Sequence, residues 1–379
     1  MSNSCFVISK SAFNSNIKYL TELTDNVDFY LVLKNNAYGH GIQQIARLAV
    51  EDGISKFAVF SIYEAKKIIE VIDTHVEIMI MGFLNKNELE WAIEHKLSFW
   101  VFNFETLEKA MEIANISKQN AKIHLEFDTG LGFTGFDILD IEKLSTKLNA
   151  IKNIEIEGVC SRLAGAENYE SFIRIQNQVK QFKTILKKLD IISLGYKSKH
   201  IAGSAALLSY PVAKMDFSRI GIACFGLWPS EEVYKQNMKS IIGHKDPLIP
   251  ILSWKTTIFE IRNIKKGLYL GEDSNYITPK NIRIAIIPIG SMDLYPSQTY
   301  QKSRVLIHGN RVPVLGKASL NLLIIDVSNI ENVRVGDEVV LLGKQGEQNI
   351  SPYTLAKLTN KSIYELYSGF SESIPRIIE

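Results

Sequence analysis

The sequence predicts an α/β fold, a (β/α)8 TIM-like barrel followed by a C-terminal all-β domain. Three observations predict it. Short apolar β-rich runs alternate with longer stretches of helical period from about residue 27 to 227, such runs number eight, and helical periods become rare after Pro229.

In chain order the runs are FYLVLK (29–34), FAVFS (57–61), EIMIMG (77–82), SFWVF (98–102), KIHLEFD (122–128), IEIEGVC (154–160), KHIA (199–202) and SRIGIACF (218–225). Their near-continuous apolar character suits strands covered on both faces. Between them, ETLEKAMEIA and SFIRIQNQVKQFKTILKKL carry the three-and-four spacing of amphipathic helices packed outside such a sheet. Beyond the barrel, PILSWKTTIFEI, IRIAIIPI, RVLIHG, LLIIDV and EVVLLG follow in quick succession, with a last helix near 351–367. The division expected is 1–230 for the barrel and 231–379 for the β-rich domain, with the polar stretch 231–248 as the link.

Composition narrows the function classes. The 379 residues are 46% hydrophobic and carry a net charge of +2 with scattered basic residues, which argues against a nucleic-acid partner. The start, MSNSCFVISKSAF, has no apolar run of signal-peptide length and no later stretch reaches the span of a bilayer, so the expectation is a cytoplasmic protein with no membrane partner. Cys5, Cys160 and Cys224 are odd in number and far apart in apolar surroundings, the pattern of reduced core thiols and not of a metal site.

Barrel enzymes carry their chemistry at the C-terminal ends of the strands. Lys34 ends the first run, and a lysine desolvated there has a lowered pKa suited to imine formation, although a lone lysine at a strand end is more often simply solvated. The whole segment Lys34-Asn35-Asn36-Ala37-Tyr38-Gly39-His40-Gly41 resembles the pyridoxal 5'-phosphate attachment motif of alanine racemases, fold type III enzymes. The resemblance continues through DTGLGFTGF (128–136), HIAGSAALL (200–208), FSRIGIACFGLWPS (217–230), PIGSMDLYP (288–296), VLGKASLN (314–321) and IYELYSGFSESIPRI (363–377).

That resemblance implies roles residue by residue. Lys34 would carry the cofactor as a Schiff base, and Tyr38, Ser204, Tyr364 and the backbone N–H groups of Gly221 and Ile222 would hold its phosphate. Arg219 would face the pyridine nitrogen, donating a hydrogen bond without giving up its proton. His200 falls among the cofactor-binding positions, and Phe133 and Leu320 among the substrate-binding ones. The family further implies a head-to-tail homodimer with shared active sites and a small amino-acid substrate.

Departures concentrate on the substrate side. The family's second acid/base, a tyrosine from the partner's β-domain, falls in GLYLGEDSNYIT (267–278), where a gap-free count puts Glu272 and the alternatives are Tyr269 and Tyr276. The arginine that contacts the substrate carboxylate is Phe133, the lysine that holds it is Glu126, and a histidine in the network toward the catalytic tyrosine is Arg162. Gly203, Ser291 and Asn321 also differ from the pattern. An Arg162–Glu272 ion pair would keep Glu272 ionised as a base. On that reading Lys34, Glu272 and Arg162 are the catalytic candidates, whereas Phe133 with Glu126 removes the carboxylate anchor without an evident substitute, Arg162 being the residue that could provide a cation in that region.

Three functions remain open: an amino-acid racemase resembling alanine racemase (L-alanine/D-alanine interconversion), a divergent member catalysing aldol cleavage, decarboxylation or epimerisation, and a cofactor-binding homologue without turnover.

Overall fold

A five-residue apolar strand opens the chain, and its sequence neighbours are not its partners. The computed structural model describes residues 4–240, 245–272, 276–293, 295 and 302–379. The first strand, β1 (Ser4–Ile8), pairs antiparallel with a strand some 250 residues later. The described residues form two units, one made of Met1–Ala12, Tyr38–Gln44 and Pro250–Glu379, the other of Phe13–Ala37 and Ile45–Ile249. The sequence division at 230/231 therefore differs at the N-terminus, because burying Phe6 and Ile8 requires the sheet that β1 joins.

The second unit is the barrel. Its strands are β2 (Tyr30–Val32), β3 (Lys56–Val59), β4 (Glu77–Ile80), β5 (Ser98–Val101), β6 (Ala121–Glu126), β7 (Ile154–Cys160), β8 (Lys199–His200) and β9 (Arg219–Ile220). All pair in parallel with their spatial neighbours in the order β8-β7-β6-β5-β4-β3-β2-β9. A bridge between Gly203 and Arg219, with Arg219 N–H donating to Ala202 O at 2.9 Å, joins β8 to β9 and closes the ring. Each sequence run contains one strand, and the helices expected outside are Phe104–Ser117 and Phe172–Ile191 among others. Their buried faces hold Leu107, Ala110 and Met111 in one and Ile175, Val179, Phe182 and Leu186 in the other.

Within β6 the register against β7 shifts between Ile123 and His124. Met79, Trp100, His124, His200 and Arg219, from β4, β5, β6, β8 and β9, form one interlocked set: Trp100 Nε1–H donates to Met79 Sδ at 3.2 Å, and the histidines and Arg219 bond in series. The polar stretch expected to link the domains starts instead as a helix, Glu231–Ser240. Ser230 Oγ accepts the Val233 N–H, with Glu231 and Glu232 in the first turn and Lys239 in the last, a full set of helix-start and dipole signals.

The other unit builds a mainly antiparallel sheet. Its later strands are β10 (Leu252–Thr257), β11 (Glu260–Ile264), β12 (Ile282–Ile287), β13 (Arg304–Ile307), β14 (Asn310–Leu315), β15 (Leu323–Asp326), β16 (Glu338–Gln345), β17 (Gln348–Ile350) and β18 (Arg376–Ile378), in the order β11-β12-β15-β14-β13-β16-β10-β1-β18 with β17 on β16. The expected last helix is two, Pro352–Thr359 and Ile363–Ser368, because Asn360 ends the first in the left-handed region at φ 51°. Among the described residues no helix is long and apolar enough to cross a membrane. Cys160 and Cys224 are buried free thiols, and Cys5 is a half-buried one.

Candidate active site

Lys34 lies two residues beyond β2, at the C-terminal mouth of the barrel, and it begins an unusual turn. Asn35, Asn36, Ala37 and Tyr38 have φ of 53°, 54°, 53° and 49°, a run of left-handed residues closed by the Ala37 N–H donating to Leu33 O at 2.9 Å. Each such non-glycine residue costs about 1–2 kcal/mol, less for asparagine, so the turn persists only where its surroundings dictate it. In the barrel unit the buried carboxylate of Glu64 does this. Its Oε1 accepts the Asn35 N–H at 2.6 Å, and its Oε2 accepts the Phe60 and Ser61 N–H groups at 2.7 and 3.2 Å. Glu64 thus closes a helix capping box with Ser61 and fixes the residue after Lys34. In the β-rich unit, Gly39 follows at φ 76°, where a Cβ would lie 1.8 Å from Tyr367 O, and Arg376 donates to Gly39 O at 2.8 Å.

The Lys34 ammonium is half-buried, and its pKa is lowered, first by burial and then by the positive charge of Arg162, against which Glu64 and Glu167 act. Burial therefore supplies what the sequence required of this lysine.

Arg219 is buried and spends its guanidinium on carbonyls and one imidazole. Nη2 donates to Ser161 O at 2.9 Å and Ile201 O at 3.3 Å, and Nη1 to His200 O at 3.3 Å and to His200 Nδ1. Because Nδ1 accepts, the His200 proton sits on Nε2, which faces His124 Nδ1 at 3.0 Å and leaves the His124 proton on Nε2. That last atom is buried without a hydrogen-bond partner among the described residues. Burial, then the Arg219 charge, holds His124 near pKa 3 and drives His200 well below its ordinary value, so both rings are neutral. Burial lowers Arg219 to about 10, which leaves it a cation at neutral pH.

At β8 and β9 lies a set of groups for an anion. Ser204 Oγ accepts the Gly221 N–H at 3.0 Å, and the buried Ile222 N–H, at the start of a 3-10 turn over Ile222–Phe225, has no partner among the described residues. A free buried N–H beside a hydroxyl fits a phosphate oxygen, since an orphaned donor costs about 1–3 kcal/mol unless a ligand takes it. Within the β-rich unit, Tyr38 and Tyr364 face each other with ring centroids 6.0 Å apart.

Arg162 is bonded within the barrel unit. Its Nε donates to Glu126 Oε1 at 2.7 Å, and its Nη2 to Glu126 Oε2 at 3.3 Å and Thr134 Oγ1 at 2.7 Å, while the Thr134 hydroxyl donates to Glu126 Oε2 at 2.8 Å. Glu126 ends β6 and Arg162 lies two residues beyond the adjacent β7, so the pair forms within the barrel mouth. The bond to Thr134 thus brings the Arg162 guanidinium to the residue next to Phe133. Phe133 itself, 78% exposed, sits in the loop that Asp128 organises by accepting the Gly130, Leu131 and Gly132 N–H groups.

The remaining candidates lie in the β-rich unit. Glu272 is exposed, Tyr269 is 61% exposed beside it, and Leu320 is 60% exposed. Tyr276 packs on the Leu270, Ile282, Ile284 and Leu315 cluster, and burial raises its hydroxyl pKa. Asp273, Ser274 and Asn275 of the same block, and Leu294 and Pro296 of PIGSMDLYP, lie outside the described residues. Sequence reasoning missed Glu64, Thr134, His124 and Gln178. The S-x-x-E spacing of Ser61 and Glu64 was an available signal for the first, whereas the others depend on which strands adjoin.

Comparison with known proteins is consistent along the whole chain. Residues 8–229 match the alanine racemase N-terminal domain and residues 251–378 the alanine racemase C-terminal domain. The alanine racemase of Clostridium tetani is 32% identical over 368 residues, 96% of this chain and 92% of that one, and the alanine racemase of Methanococcus maripaludis is 30% identical over 98% of this chain and 97% of its own length. Among solved structures, the alanine racemase from Bacillus anthracis with bound L-Ala-P superposes with a TM-score of 0.89 at 27% identity, covering 100% of this chain and 95% of that one. The histidine racemase from Leuconostoc mesenteroides superposes with a TM-score of 0.88 at 25% identity, covering 100% and 98%.

Proposed function

Since the chain belongs to the alanine racemase family over both of its domains, a family of pyridoxal-phosphate-dependent isomerases, we propose that it racemises a small amino acid, alanine first, with the cofactor held on Lys34. When bound, the cofactor supplies an electron sink for the α-carbon as its proton leaves. The observation that carries the reading is Lys34 itself, a half-buried amine of lowered pKa at a barrel mouth, followed by a turn that Glu64 holds in place.

The remaining roles follow from this chain's groups. A lowered pKa provides the neutral amine needed to attach the cofactor, and the same nitrogen then serves as base on one face of the α-carbon. Arg219, kept cationic and held by three carbonyls, donates toward the pyridine nitrogen, and the neutral His200 behind it can accept but not protonate. Ser204 and the N–H groups of Gly221 and Ile222 take the phosphate, together with Tyr38 and Tyr364 as the resemblance assigns them.

The second acid/base is Glu272 of the partner subunit, in a homodimer whose shared sites each combine one barrel mouth with the other copy's β-rich unit. Exposed apolar side chains support this dimer, with Phe133, Phe172 and Ile173 on the barrel unit and Tyr269, Met292 and Leu320 on the other. Leu320 and Phe133 would line the substrate side. Three free thiols suit a reducing, cytoplasmic setting. A second reading, α-carbon chemistry that needs Lys34 alone as base, is favoured by the carboxylate at 272, since an ionised carboxylate is a much weaker base than a phenolate.

Borohydride reduction of the cofactor-loaded protein, followed by peptide mapping, tests the proposal. The cofactor mass should appear on the peptide containing Lys34, and an unlabelled Lys34 with cofactor fixed elsewhere or nowhere would refute it.

A further inference from the structure

Arg162 has two of its guanidinium nitrogens, Nε and Nη2, committed and the third, Nη1, open. Nε and Nη2 make every bond the side chain forms among the described residues, all to Glu126 and Thr134, and Nη1 makes none. The side chain is 32% exposed while that of Glu126 is 2% exposed, so the arginine is the accessible member of the pair. Its backbone is fixed as well. The buried Gln178 amide donates to Arg162 O at 3.0 Å and to Thr129 Oγ1 at 3.3 Å, and accepts the Ala164 N–H at 2.9 Å. The guanidinium carbon lies 5.1 Å from the centre of the Trp100 ring, against 5.0 Å for Arg219 over the same ring, and among charged groups Arg162 has the largest effect on Lys34. An arginine held through two nitrogens and at its backbone has little freedom left to lose, and the N–H groups of Nη1 remain to donate to a carboxylate.

We propose that the free Nη1 of Arg162 binds the carboxylate of the amino-acid substrate, with Glu126 and Thr134 as its positioning residues. The inference deepens the racemase reading and rests on it. It names the ligand class as a single carboxylate per barrel mouth, and it assigns the anchoring role to Arg162 and not to Phe133, whose ring has no polar atom. It also couples two events at the mouth: a carboxylate on Arg162 neutralises the charge that depresses Lys34, so anion binding raises the pKa at which the Lys34 nitrogen titrates.

The test uses propionate, which is alanine without its amine, on the cofactor-loaded protein. Arg162→Ala would leave Glu126 buried and unpaired, so the informative variants are E126M/R162M, which removes both charges together, and R162K, which keeps a charge for Glu126 but has no Nη1. Calorimetry should show propionate binding to the parent and a loss of roughly 10- to 100-fold in both variants, the range expected for losing a charge-assisted pair of hydrogen bonds. Propionate should also raise the pH midpoint of the visible absorption band of the parent and leave that of the double variant unmoved. KM for alanine should rise more than kcat falls. Parent affinity in E126M/R162M, or no propionate binding by the loaded parent, would overturn the assignment. A parent protein that never takes up cofactor on Lys34 would instead sink the reading beneath it, so the two failures are distinguishable.

Discussion

The barrel mouth and the loops of the β-rich unit hold the two groups of catalytic candidates, and the two regions differ in how their side chains are held. In the barrel, Arg219 is fixed by carbonyls and His200, Arg162 by Glu126 and Thr134, and the residue after Lys34 by Glu64. In the β-rich unit, Glu272, Tyr269, Met292 and Leu320 are exposed. The contrast separates a preorganised half-site, whose geometry exists before any ligand arrives, from a surface that suits a second copy. Preorganisation matters where charge must be placed to a fraction of an ångström, while a docking surface needs exposed apolar area.

Removing Lys34 is the sharpest way to break that comparison. Lys34→Ala should abolish covalent cofactor attachment and lower racemisation by about 10⁴-fold or more, given that it deletes both the attachment point and one base. A chiral assay with and without added free amine checks it. Next comes Glu272→Gln, which should leave cofactor binding intact and slow solvent-deuterium exchange on one face of the α-carbon by about 10²- to 10⁴-fold. If both faces exchange at the parental rate, Tyr269 becomes the residue to replace, because Tyr276 is partly committed to the Leu270 cluster.

Two stability experiments sharpen the barrel side. Glu64→Ala leaves the Asn35, Phe60 and Ser61 N–H groups without their acceptor and should destabilise the barrel by about 1–3 kcal/mol in urea unfolding, the cost of losing part-buried hydrogen bonds to a carboxylate. The other stability experiment concerns pH. His124 is held near pKa 3 and His200 is also depressed, so both are neutral in the folded state, whereas the unfolded chain protonates them below about pH 6.5. The unfolded state then binds more protons, and stability falls as the pH drops from about 6.5 toward 3, by up to about 1.4 kcal/mol per pH unit for each ring. His124→Leu should flatten that slope by one ring's share, read as urea midpoints across pH.

Much of this fold was legible because strand identity is local. FAVFS, EIMIMG and IEIEGVC announce strands by composition, and each holds one. What depends on distant partners was not legible. SCFVI at the N-terminus is as β-rich as any barrel run, yet its partner is β10, so nothing nearby marks it as part of the later sheet. The left-handed turn at 35–38 was hidden for another reason, since only Asn35, Asn36 and the glycines hint at positive φ and Ala37 argues against it. In the site, Lys34 and Arg219 were readable from motif and strand position. Glu126 and Arg162 were each noticed, but their contact was not: it arises from the order of β6 and β7 in the ring, although the alternation of the runs already implied that those two strands adjoin. The helix Glu231–Ser240 was readable from its Ser230 cap and charge placement, and a polar composition obscured it.

On the proposal made above, this barrel mouth removes and returns the α-proton of a small amino acid with Lys34 on one face. Incubating the cofactor-loaded protein with L-alanine in deuterium oxide, and following α-deuteration by mass alongside the enantiomer ratio, measures that step directly. Deuterium should enter at the α-carbon as the mixture approaches equal amounts of the two enantiomers, and Lys34→Ala should show neither change. A loaded protein that leaves L-alanine undeuterated and optically pure would contradict the account.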